Sequence, residues 1–550
     1  MKCPACAIRN TLEREKSVTR LYRKEPFDNG LMKTPPMGWN SWNYFKQDIN
    51  EKMLLEMAKA IKESGLWDAG YTYLNLDDYW EADCRDKLGR LDADMVRFPL
   101  GMKHFVDECN ALGFKVGIYS SNGVQTCQSL PASLGHEYSD ARQFAKWGIE
   151  YLKYDYCYHR VYTTKAPFVF GVSVCKKGTA DEVMIDADKA ALTGRAKCVY
   201  GSCNYNLGSL TGVGKKAHYV KGLDGNKGEA VFLYRAKEAG EYVVSVHPRF
   251  RYRVTGMLHR VMAAVVVNEG EPVIIESPKM HRPCAEAPFR FVARLKAGDN
   301  TIKVFNPIGT RADSAILNYA CMSNALRDAA EETGAKKIAF SVCEWGRNRP
   351  WEWGDKVANL WRTTGDILWF WWRIRQIYDK NVRLYSYASP GHWNDPDMLE
   401  VGNGKLTLEE NKAHFTLWCM MAAPLLLGND IVNMKLEHLA ILKNEDLIAV
   451  DQDALGKQCK RIVKGGVDVL VKPLADGGIA VCAFNKSKRA RKYTVALEAL
   501  KKEEYVKACA ADRYDAKDLW TGETRTGVSN LSVNLAPHGV SVWKICAKAR

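Results

Sequence analysis

The sequence predicts a (β/α)8 barrel that is interrupted by an all-β sandwich after its fourth strand and followed by a C-terminal antiparallel β-sandwich. Three observations predict this fold class. Strand-like and helix-like segments alternate from residue 34 to about 160, and the alternation resumes after about residue 316. The segment between them has the alternating or β-branched patterns of strands. The chain beyond about residue 456 has the same patterns.

The first half of the predicted barrel contains four β-α units. The segment 49–65 has apolar residues such as Met57 and Ile61 at helical spacing. Gly65 then gives a stop signal for this helix. The other elements of this half are predicted strands at 37–42, 71–80, 115–121 and 151–155, and predicted helices at 101–112 and 139–147.

The segment from about 162 to 316 is predicted to be an inserted β domain. Residues 240–250 and 259–270 alternate or are β-branched, and 289–307 has two strand patterns around a Gly-Asp-Asn turn. Loops of a barrel tolerate such insertions well. The sequence therefore indicates that the fourth and fifth barrel strands are separated by a complete β domain.

The second half of the predicted barrel supplies four more strands. Its elements are helices at 319–333 and 408–421 and strand segments at 337–345, 360–367, 391–402 and 423–430. Four strands before the insert and four after it give the eight of a (β/α)8 barrel. The predicted boundaries are 30–161 and 317–455 for the barrel halves, 162–316 for the insert and 456–550 for the terminal β domain.

The composition describes a large globular protein. The 550 residues have a formal net charge of +15, but the Lys and Arg residues are scattered and no nucleic-acid-binding motif is present. No apolar stretch reaches the roughly 18–20 residues of a membrane helix. Cys3 and Cys6 form a C-x-x-C without a second pair, so no zinc site is predicted there. We therefore expect no nucleic-acid partner and no membrane span, and the oligomeric state is unpredicted.

Polar and aromatic residues gather where the predicted barrel strands end, which is where barrels of this kind place their active sites. These residues are Trp39 and Trp42 (strand 1), Asp77 and Asp78 (strand 2), Tyr119 (strand 3), Lys153 and Asp155 (strand 4), Glu344 and Trp345 (strand 5), Arg362 and Asp366 (strand 6), and Asp395, Asp397 and Met398 (strand 7). Carboxylates from five strands would repel one another in a low-dielectric mouth unless a ligand or cation lies between them.

Two occupants fit such a mouth: a divalent cation held by oxygen ligands, or a polyhydroxylated ligand. The aromatic residues favour a sugar. Glycoside hydrolysis also needs two carboxyl groups in different environments, one ionised and one protonated. Lys153 and Asp155 lie two apart and on the same face of a strand, so we expect the lysine to favour the ionised form of Asp155. Asp366 has no evident partner on its own strand and is the candidate for the protonated group.

Eight motifs resemble glycoside hydrolase family 27, the α-galactosidases and their relatives. In family order they are TPPMGWNSWNYF, YLNLDDYW, GIYSSNGVQTC, YLKYDYC, SVCEWG, WRTTGDI, HWNDPDMLEVGN and DQDALGKQ. The resemblance covers about residues 30–160 and 317–550. It implies an exo-acting hydrolase of terminal α-galactosides that works by retaining double displacement and needs no catalytic cofactor. Such an enzyme acts on an oligosaccharide, a polysaccharide or a glycan.

The resemblance also implies roles for individual residues. Asp155 would be the nucleophile and Asp366 the acid/base, with their carboxyl groups about 5–5.5 Å apart. Asp77 and Asp78 would bind hydroxyls at the far side of the sugar, and Trp42 would form a pocket wall. The remaining expected substrate contacts or orienting residues are Tyr119, Lys153, Arg362, Asp397 and Met398.

Sugar specificity is expected to depend on strand 5. Relatives that take N-acetylgalactosamine have small residues where this chain has Glu344 and Trp345, so galactose is favoured. Relatives that take β-L-arabinopyranose alter the aspartate pair, whereas Asp77 and Asp78 are both present. An α-N-acetylgalactosaminidase, a β-L-arabinopyranosidase and a non-catalytic sugar-binding protein are the alternatives.

Two further features are implied by resemblance. Cys127 and Cys157 match a family disulfide at the mouth of the site, which predicts a secreted, periplasmic or otherwise extracytoplasmic enzyme whose signal peptide precedes this numbering. The insert is similar to carbohydrate-binding modules of families 35 and 6 in the segments 184–194 and 297–305. Asp186, Asp188 and Asp313 match the acidic positions of a structural calcium site in those modules.

Overall fold

The computed structural model describes residues 27–202, 216–249, 259–270, 272–276 and 288–548. Cys3 and Cys6 lie outside these residues. The first half of the barrel consists of the strands β1 (Met37–Asn40), β2 (Tyr73–Asn75), β3 (Lys115–Ser121) and β4 (Tyr151–Asp155) and the helices α1 (Trp42–Phe45), α2 (Glu51–Glu63), α3 (Gly101–Ala111) and α4 (Glu137–Trp147).

Helix α2 shows how local sequence sets these elements. The side chain of Asn50 accepts a hydrogen bond from the backbone N–H of Met53, which satisfies one of the free donors at the helix start. The predicted apolar face is buried, with Met57 and Ile61 packed in the barrel core. Gly65 follows the helix with a φ of 76°, a left-handed conformation that suits glycine.

Between β4 and the second half of the barrel lie two antiparallel sheets. Their strands, with a short pair that leads into them, are β5 (Val161–Tyr162), β6 (Phe168–Lys176), β7 (Glu182–Asp186), β8 (Ala191–Gly194), β9 (Lys197–Ser202), β10 (Lys216–Lys221), β11 (Gly228–Ala236), β12 (Gly240–Arg249), β13 (His259–Arg260), β14 (Met262–Val267), β15 (Val273–Glu276), β16 (Phe289–Leu295) and β17 (Gly298–Phe305). One sheet has the order β16-β12-β6-β10-β9 with β7 on β6, and the other has the order β15-β14-β17-β11-β8. Side chains from both sheets, such as Val244 and Val304, share one core, as in a sandwich.

The second half of the barrel begins earlier than the sequence patterns indicate. Its elements are α5 (Arg311–Thr333), β18 (Ala339–Cys343), β19 (Leu360–Arg362), α6 (Trp371–Asn381), β20 (Trp393–Asp395), α7 (Leu408–Met420), β21 (Leu425–Leu427), α8 (Leu436–Leu442) and α9 (Glu445–Asp451). Thr310 and Asp313 form a capping box that starts α5 at Arg311. Residues 311–316, which we expected in the insert, are therefore helical, and the last sandwich strand ends at Phe305.

The eight parallel strands follow one another in barrel order, as β20-β19-β18-β4-β3-β2-β1-β21. A parallel bridge between Leu399 and Leu427 joins the segment after β20 to β21 and closes the ring. Strands β4 and β18 pair directly, with Asp155 opposite Cys343, although the insert separates them in the chain. The predicted (β/α)8 barrel is confirmed by this strand order. The insert leaves the loop after β4 and returns before β18, so it does not disturb the strand register.

A C-terminal antiparallel β domain completes the fold and is also confirmed. Its strands are β22 (Lys460–Val463), β23 (Val467–Pro473), β24 (Ile479–Asn485), β25 (Arg491–Ala496), β26 (Tyr514–Asp518), β27 (Thr524–Val528), β28 (Asn530–Leu535) and β29 (Val540–Ala547). Six strands form the sheet β22-β23-β24-β29-β26-β27, and β25 pairs with β28. Within the described part of the chain, no helix is both long enough and apolar enough to cross a bilayer.

Candidate active site

The register of the parallel strands brings the predicted site residues to one mouth of the barrel. Asp155 at the end of β4 lies opposite Ser121 of β3 on one side and Cys343 of β18 on the other. At the end of β19, Arg362 lies opposite Asp395 of β20. Because parallel strands end at the same edge, these polar side chains line one cavity floor.

Asp155 is buried and held by two donors. The Tyr119 hydroxyl donates to Oδ2 at 3.1 Å, and the backbone N–H of Tyr156 donates to Oδ1 at 2.7 Å. Burial raises the pKa of Asp155 to about 6, and the nearby charge of Lys153 opposes that rise. The carboxyl group is thus fixed in direction and needs no large rearrangement to meet a bound ligand.

Lys153 favours the ionised form of Asp155, as expected from the strand spacing, but its close ion pair is with Asp77. Its ammonium lies 2.7 Å from Oδ2 of Asp77, and both side chains are nearly buried. Asn40 donates to the same oxygen at 2.8 Å. The long side chain crosses the ring of Tyr119 on β3, at 5.5 Å from the ring centroid, to reach the end of β2. A shared strand face therefore does not fix the partner of a lysine.

Asp78 stabilises the loop that follows β3 through a hydrogen bond. Its Oδ2 accepts a hydrogen bond from the backbone N–H of Gln128 at 2.9 Å, and its Oδ1 accepts from the N–H of Tyr79. Burial raises the pKa of Asp78 to about 6. Glu81, which the sequence reasoning missed, lies fully buried nearby and accepts from the same Tyr79 N–H at 3.1 Å. Burial raises the pKa of Glu81 well above its ordinary range.

Asp366 has a partner, contrary to the sequence-based expectation. Arg362, four residues earlier, donates from Nη2 to Asp366 at 3.1 Å and lies 2.6 Å from the carboxylate of Asp397. Asp397 also accepts from the backbone N–H of Ile367 at 2.8 Å, which positions the segment that contains Asp366. Desolvation at the barrel mouth acts to raise the pKa of Asp366, but the charges of Arg362 and Lys153 outweigh it and hold the pKa below its ordinary value of 3.8. Its side chain remains 72% exposed, open to the mouth.

The residues after β18 form a tight loop. Both carboxylate oxygens of Glu344 accept from the backbone N–H of Asn348, at 2.8 and 3.0 Å, and burial raises the pKa of Glu344 to about 7. Trp345 is in the left-handed region at a φ of 59°, and Arg347 stacks over its ring at 4.7 Å. Glu344 thus holds the loop that presents Trp345, while Asn348 and Arg347 gave no sequence signal.

Trp42 and Met398 belong to one apolar cluster of the barrel interior. Met398 is buried and Trp42 is partly buried. The cluster thus includes residues from the segment after β1 and from the segment after β20. Cys343 was also missed: its thiol is buried, and Nη1 of Arg362 lies 3.7 Å from its sulfur. Nothing in the sequence around this cysteine distinguished it from a core residue.

The predicted disulfide between Cys127 and Cys157 is confirmed. It joins the segments that follow β3 and β4, with the two Cα atoms 5.2 Å apart. The sulfur of Cys127 lies 3.6 Å from Oδ2 of Asp155. The bridge therefore fixes the wall of the cavity directly beside this carboxylate.

Removing this disulfide should destabilise the protein. The bridge spans 30 residues, for which the loss of unfolded-state entropy gives about 3–4 kcal/mol. We expect the double substitution Cys127→Ser, Cys157→Ser to lower the melting temperature by several degrees in calorimetry. Cys84→Ser, at an exposed free cysteine, is the matched control and should not change it. Equal melting temperatures for the wild type and the double variant would contradict the prediction.

The three aspartates of the expected calcium site are not brought together. Among the described residues, their carboxylate oxygens do not form a set lying within 4.8 Å of one another. Asp313 instead belongs to the capping box of α5, where its Oδ2 accepts from the backbone N–H groups of Gly309 and Thr310. Asp188 lies 3.5 Å from the ammonium of Lys189, and Asp186 ends β7. The local helix start explains the acidic residue that had suggested a calcium ligand.

Two family descriptions match the chain. The model described as alpha galactosidase A matches residues 34–186 and 308–453, and the alpha galactosidase C-terminal beta sandwich domain matches 464–545. The first match is interrupted across most of the insert. Residues 187–307 therefore lie outside both family models.

Individual proteins are similar over nearly the whole length. The chain is 31% identical over 531 residues to "Alpha-galactosidase A" of Cellvibrio japonicus, which covers 94% of this chain and 92% of that protein. It is 31% identical over 521 residues to "Alpha-galactosidase 2" of Arabidopsis thaliana, with 94% and 91% covered. Among solved structures, alpha-galactosidase I from Mortierella vinacea superposes with a TM-score of 0.63 at 26% identity and covers 95% of this chain and 99% of that one.

Proposed function

We propose that this enzyme acts by retaining double displacement. The chain belongs to the alpha-galactosidase A family and is a glycoside hydrolase that removes galactose from α-galactosides. Asp155 is the nucleophile in this proposal and Asp366 is the acid/base. One observation supports the pair most directly. Arg362 connects the two positions, since Nη2 donates to Asp366 at 3.1 Å and Nη1 lies 3.7 Å from the sulfur of Cys343, which is opposite Asp155 in the strand register.

The proposed reaction has two steps. Asp155 attacks the anomeric carbon while Asp366 gives its proton to the departing glycosidic oxygen, and a galactosyl ester forms on Asp155. Asp366, now a carboxylate, then takes a proton from water, which attacks the same carbon and releases Asp155. Two inversions give net retention. The orientation of Asp155 by Tyr119 and by the backbone of Tyr156 supports the first role, and the open position of Asp366 supports the second.

The sugar that this site takes can be tested together with the stereochemistry. We propose α-D-galactose, because Glu344 and Trp345 form a rigid loop and Asp77 and Asp78 are both fixed at the end of β2. The test compares the 4-nitrophenyl glycosides of α-galactose, α-N-acetylgalactosamine and β-L-arabinopyranose, with the first released anomer followed by NMR. Faster release of α-galactose as the first anomer supports the proposal. Preference for another sugar overturns the specificity, and a first β-anomer overturns the retaining mechanism.

The rate should depend on pH in a definite direction. Catalysis requires one ionised and one protonated carboxyl group, so the Asp155–Asp366 pair must hold a single proton. Burial raises the pKa of Asp155 to about 6, whereas the charges of Arg362 and Lys153 hold the pKa of Asp366 below its ordinary value. In the free enzyme the single proton therefore lies on Asp155, and it must pass to Asp366 before the first step. We expect kcat/KM to fall roughly tenfold per pH unit above about pH 6, where the pair loses this proton. Unchanged kcat/KM from pH 6 to 8 would refute this assignment.

A variant identifies the group responsible for the loss at high pH. The Asp366→Ala variant lacks this carboxyl group, so its reaction cannot depend on a proton there. The fall in kcat/KM above pH 6 should therefore disappear for an activated aryl galactoside. Persistence of the fall in this variant would assign it to another buried carboxyl group. Asp78, whose pKa is also about 6, is the alternative source.

We propose that hydrolysis requires no metal ion. Among the described residues, the one cluster with metal-binding spacing is Cys127, Asp155 and Cys157, and its two cysteines are already joined in a disulfide. A single remaining carboxylate is a poor ligand set. We expect EDTA to leave kcat/KM for 4-nitrophenyl α-galactoside unchanged. A loss that is restored by Ca²⁺ or Mg²⁺ would contradict this.

We also propose that the enzyme acts outside the cytoplasm, as the disulfide beside Asp155 supports. We propose that its substrates are galactose-containing oligosaccharides, branched polysaccharides or glycans with terminal α-galactose. The likeness of the insert to a carbohydrate-binding module is likewise a proposal. Binding of galactose-containing polysaccharide to the full chain, measured in an Asp155→Asn variant, would test it.

A further inference from the structure

We propose that Trp42, Lys46, Trp369 and Phe370 form an aglycone platform, a second subsite that binds the sugar ring released as the leaving group. This inference rests on the proposed function, because the leaving group must lie on the side of the general acid. Asp366 has that role, and Trp369 and Phe370 follow it in the chain by three and four residues. The segment that delivers the proton therefore also presents aromatic surface.

Lys46 joins the two sides of this platform. Its ammonium lies 5.3 Å from the ring centroid of Trp42 and 5.9 Å from that of Trp369, so it links the segment after β1 to the segment after β19. Within the described part of the chain, no carboxylate forms a salt bridge with it. Its backbone is at φ 52° and ψ −115°, a conformation that non-glycine residues rarely adopt. Strain of this kind clusters at ligand-binding sites.

The ring of Trp369 is fixed in place. It packs directly on Gly404, where an added Cβ atom would lie 2.6 Å from Cδ1 of the indole. Gly404 also has a φ of 65°, so a larger residue there would be strained as well. Beside this ring, the side chain of Phe370 is 48% exposed and that of Leu368 is 41% exposed. A rigid aromatic face next to open apolar surface is typical of a binding subsite.

The chemistry of the platform fits a pyranose ring. The C–H face of a sugar packs on an aromatic ring, and its hydroxyl oxygens can accept hydrogen bonds from the ammonium of Lys46. An alkyl chain would cover the same rings but would bury the ammonium without an acceptor, which is costly. The platform therefore favours galactosides whose leaving group is a second sugar.

The test compares two substrates that share galactose and differ in the leaving group. One is a galactosyl-α-1,6-glucose disaccharide and the other is α-galactosyl fluoride, whose leaving group has no ring. We expect Trp369→Ala and Lys46→Met each to lower kcat/KM for the disaccharide by about tenfold, and for the fluoride by less than threefold. Trp372→Ala is the matched control. This indole, on α6, is 58% exposed and belongs to neither platform nor catalytic site, so both substrates should be unaffected.

The outcomes separate the two proposals. Equal losses on both substrates, or no loss on the disaccharide, would overturn the platform. Failure of the wild type to hydrolyse either substrate would instead overturn the proposed function. Trp369→Phe, which keeps an aromatic ring, covers the case in which the alanine variant does not fold. It should recover at least half of the lost kcat/KM for the disaccharide, and no recovery in a folded protein would overturn the role of the ring.

Discussion

Asp155→Asn should abolish turnover of 4-nitrophenyl α-galactoside, with kcat reduced by about 10⁵-fold, because an amide cannot form the galactosyl ester. The fold should persist. The amide oxygen can still accept from the backbone N–H of Tyr156, and the Tyr119 hydroxyl can turn to accept from the amide nitrogen. The measurement is kcat together with the melting temperature, so that loss of chemistry is separated from loss of structure.

Asp155→Ala gives a second and independent result. The shorter side chain leaves room for a small anion beside Tyr119, and azide can attack the anomeric carbon in place of the carboxylate. We expect azide to restore part of the rate and to give β-galactosyl azide, since only one inversion then occurs. Asp107→Asn, an exposed position on α3, is the control and should keep wild-type kcat. Near-normal activity of Asp155→Asn without deamidation would refute the assignment.

The barrel could be predicted because its two periodicities are local. Helices such as α2 show apolar spacing with a cap and a glycine stop, and parallel strands are continuous apolar runs between them. The start of α5 was placed too late, because Asp313 also matched an acidic position of the calcium site in the carbohydrate-binding modules. Resemblance of a short segment thus outweighed a capping box that was readable in the sequence.

The site was predicted as a set of residues but not as a set of contacts. Strand ends locate Lys153, Asp155 and Asp366 at one mouth, since parallel strands share an edge. The partner of each charge depends on side-chain reach across neighbouring strands. Lys153 reaches Asp77 two strands away, and Arg362 divides its donors between Asp366 and Asp397. No periodicity in the sequence encodes such distances, so pairing had to come from the structure.

Asp366→Ala should reveal the proton donor through the choice of leaving group. A disaccharide needs a proton on its departing oxygen, and we expect kcat/KM for it to fall by about 10³-fold. A 2,4-dinitrophenolate leaves without protonation, so kcat/KM for 2,4-dinitrophenyl α-galactoside should fall less than tenfold. We compare kcat/KM rather than kcat, because kcat/KM reports the first chemical step and is insensitive to slow hydrolysis of the galactosyl ester.

The structure predicts that this variant will fold. Asp366 is mostly exposed, and Arg362 keeps its second partner, Asp397, at 2.6 Å. The ion pair that remains is buried, so the charge of the guanidinium is not left uncompensated. Loss of the general base should also slow the second step, and azide, which needs no deprotonation, should raise kcat for the dinitrophenyl substrate. Equal losses on both substrates, with no effect of azide, would mean that the proton comes from another group.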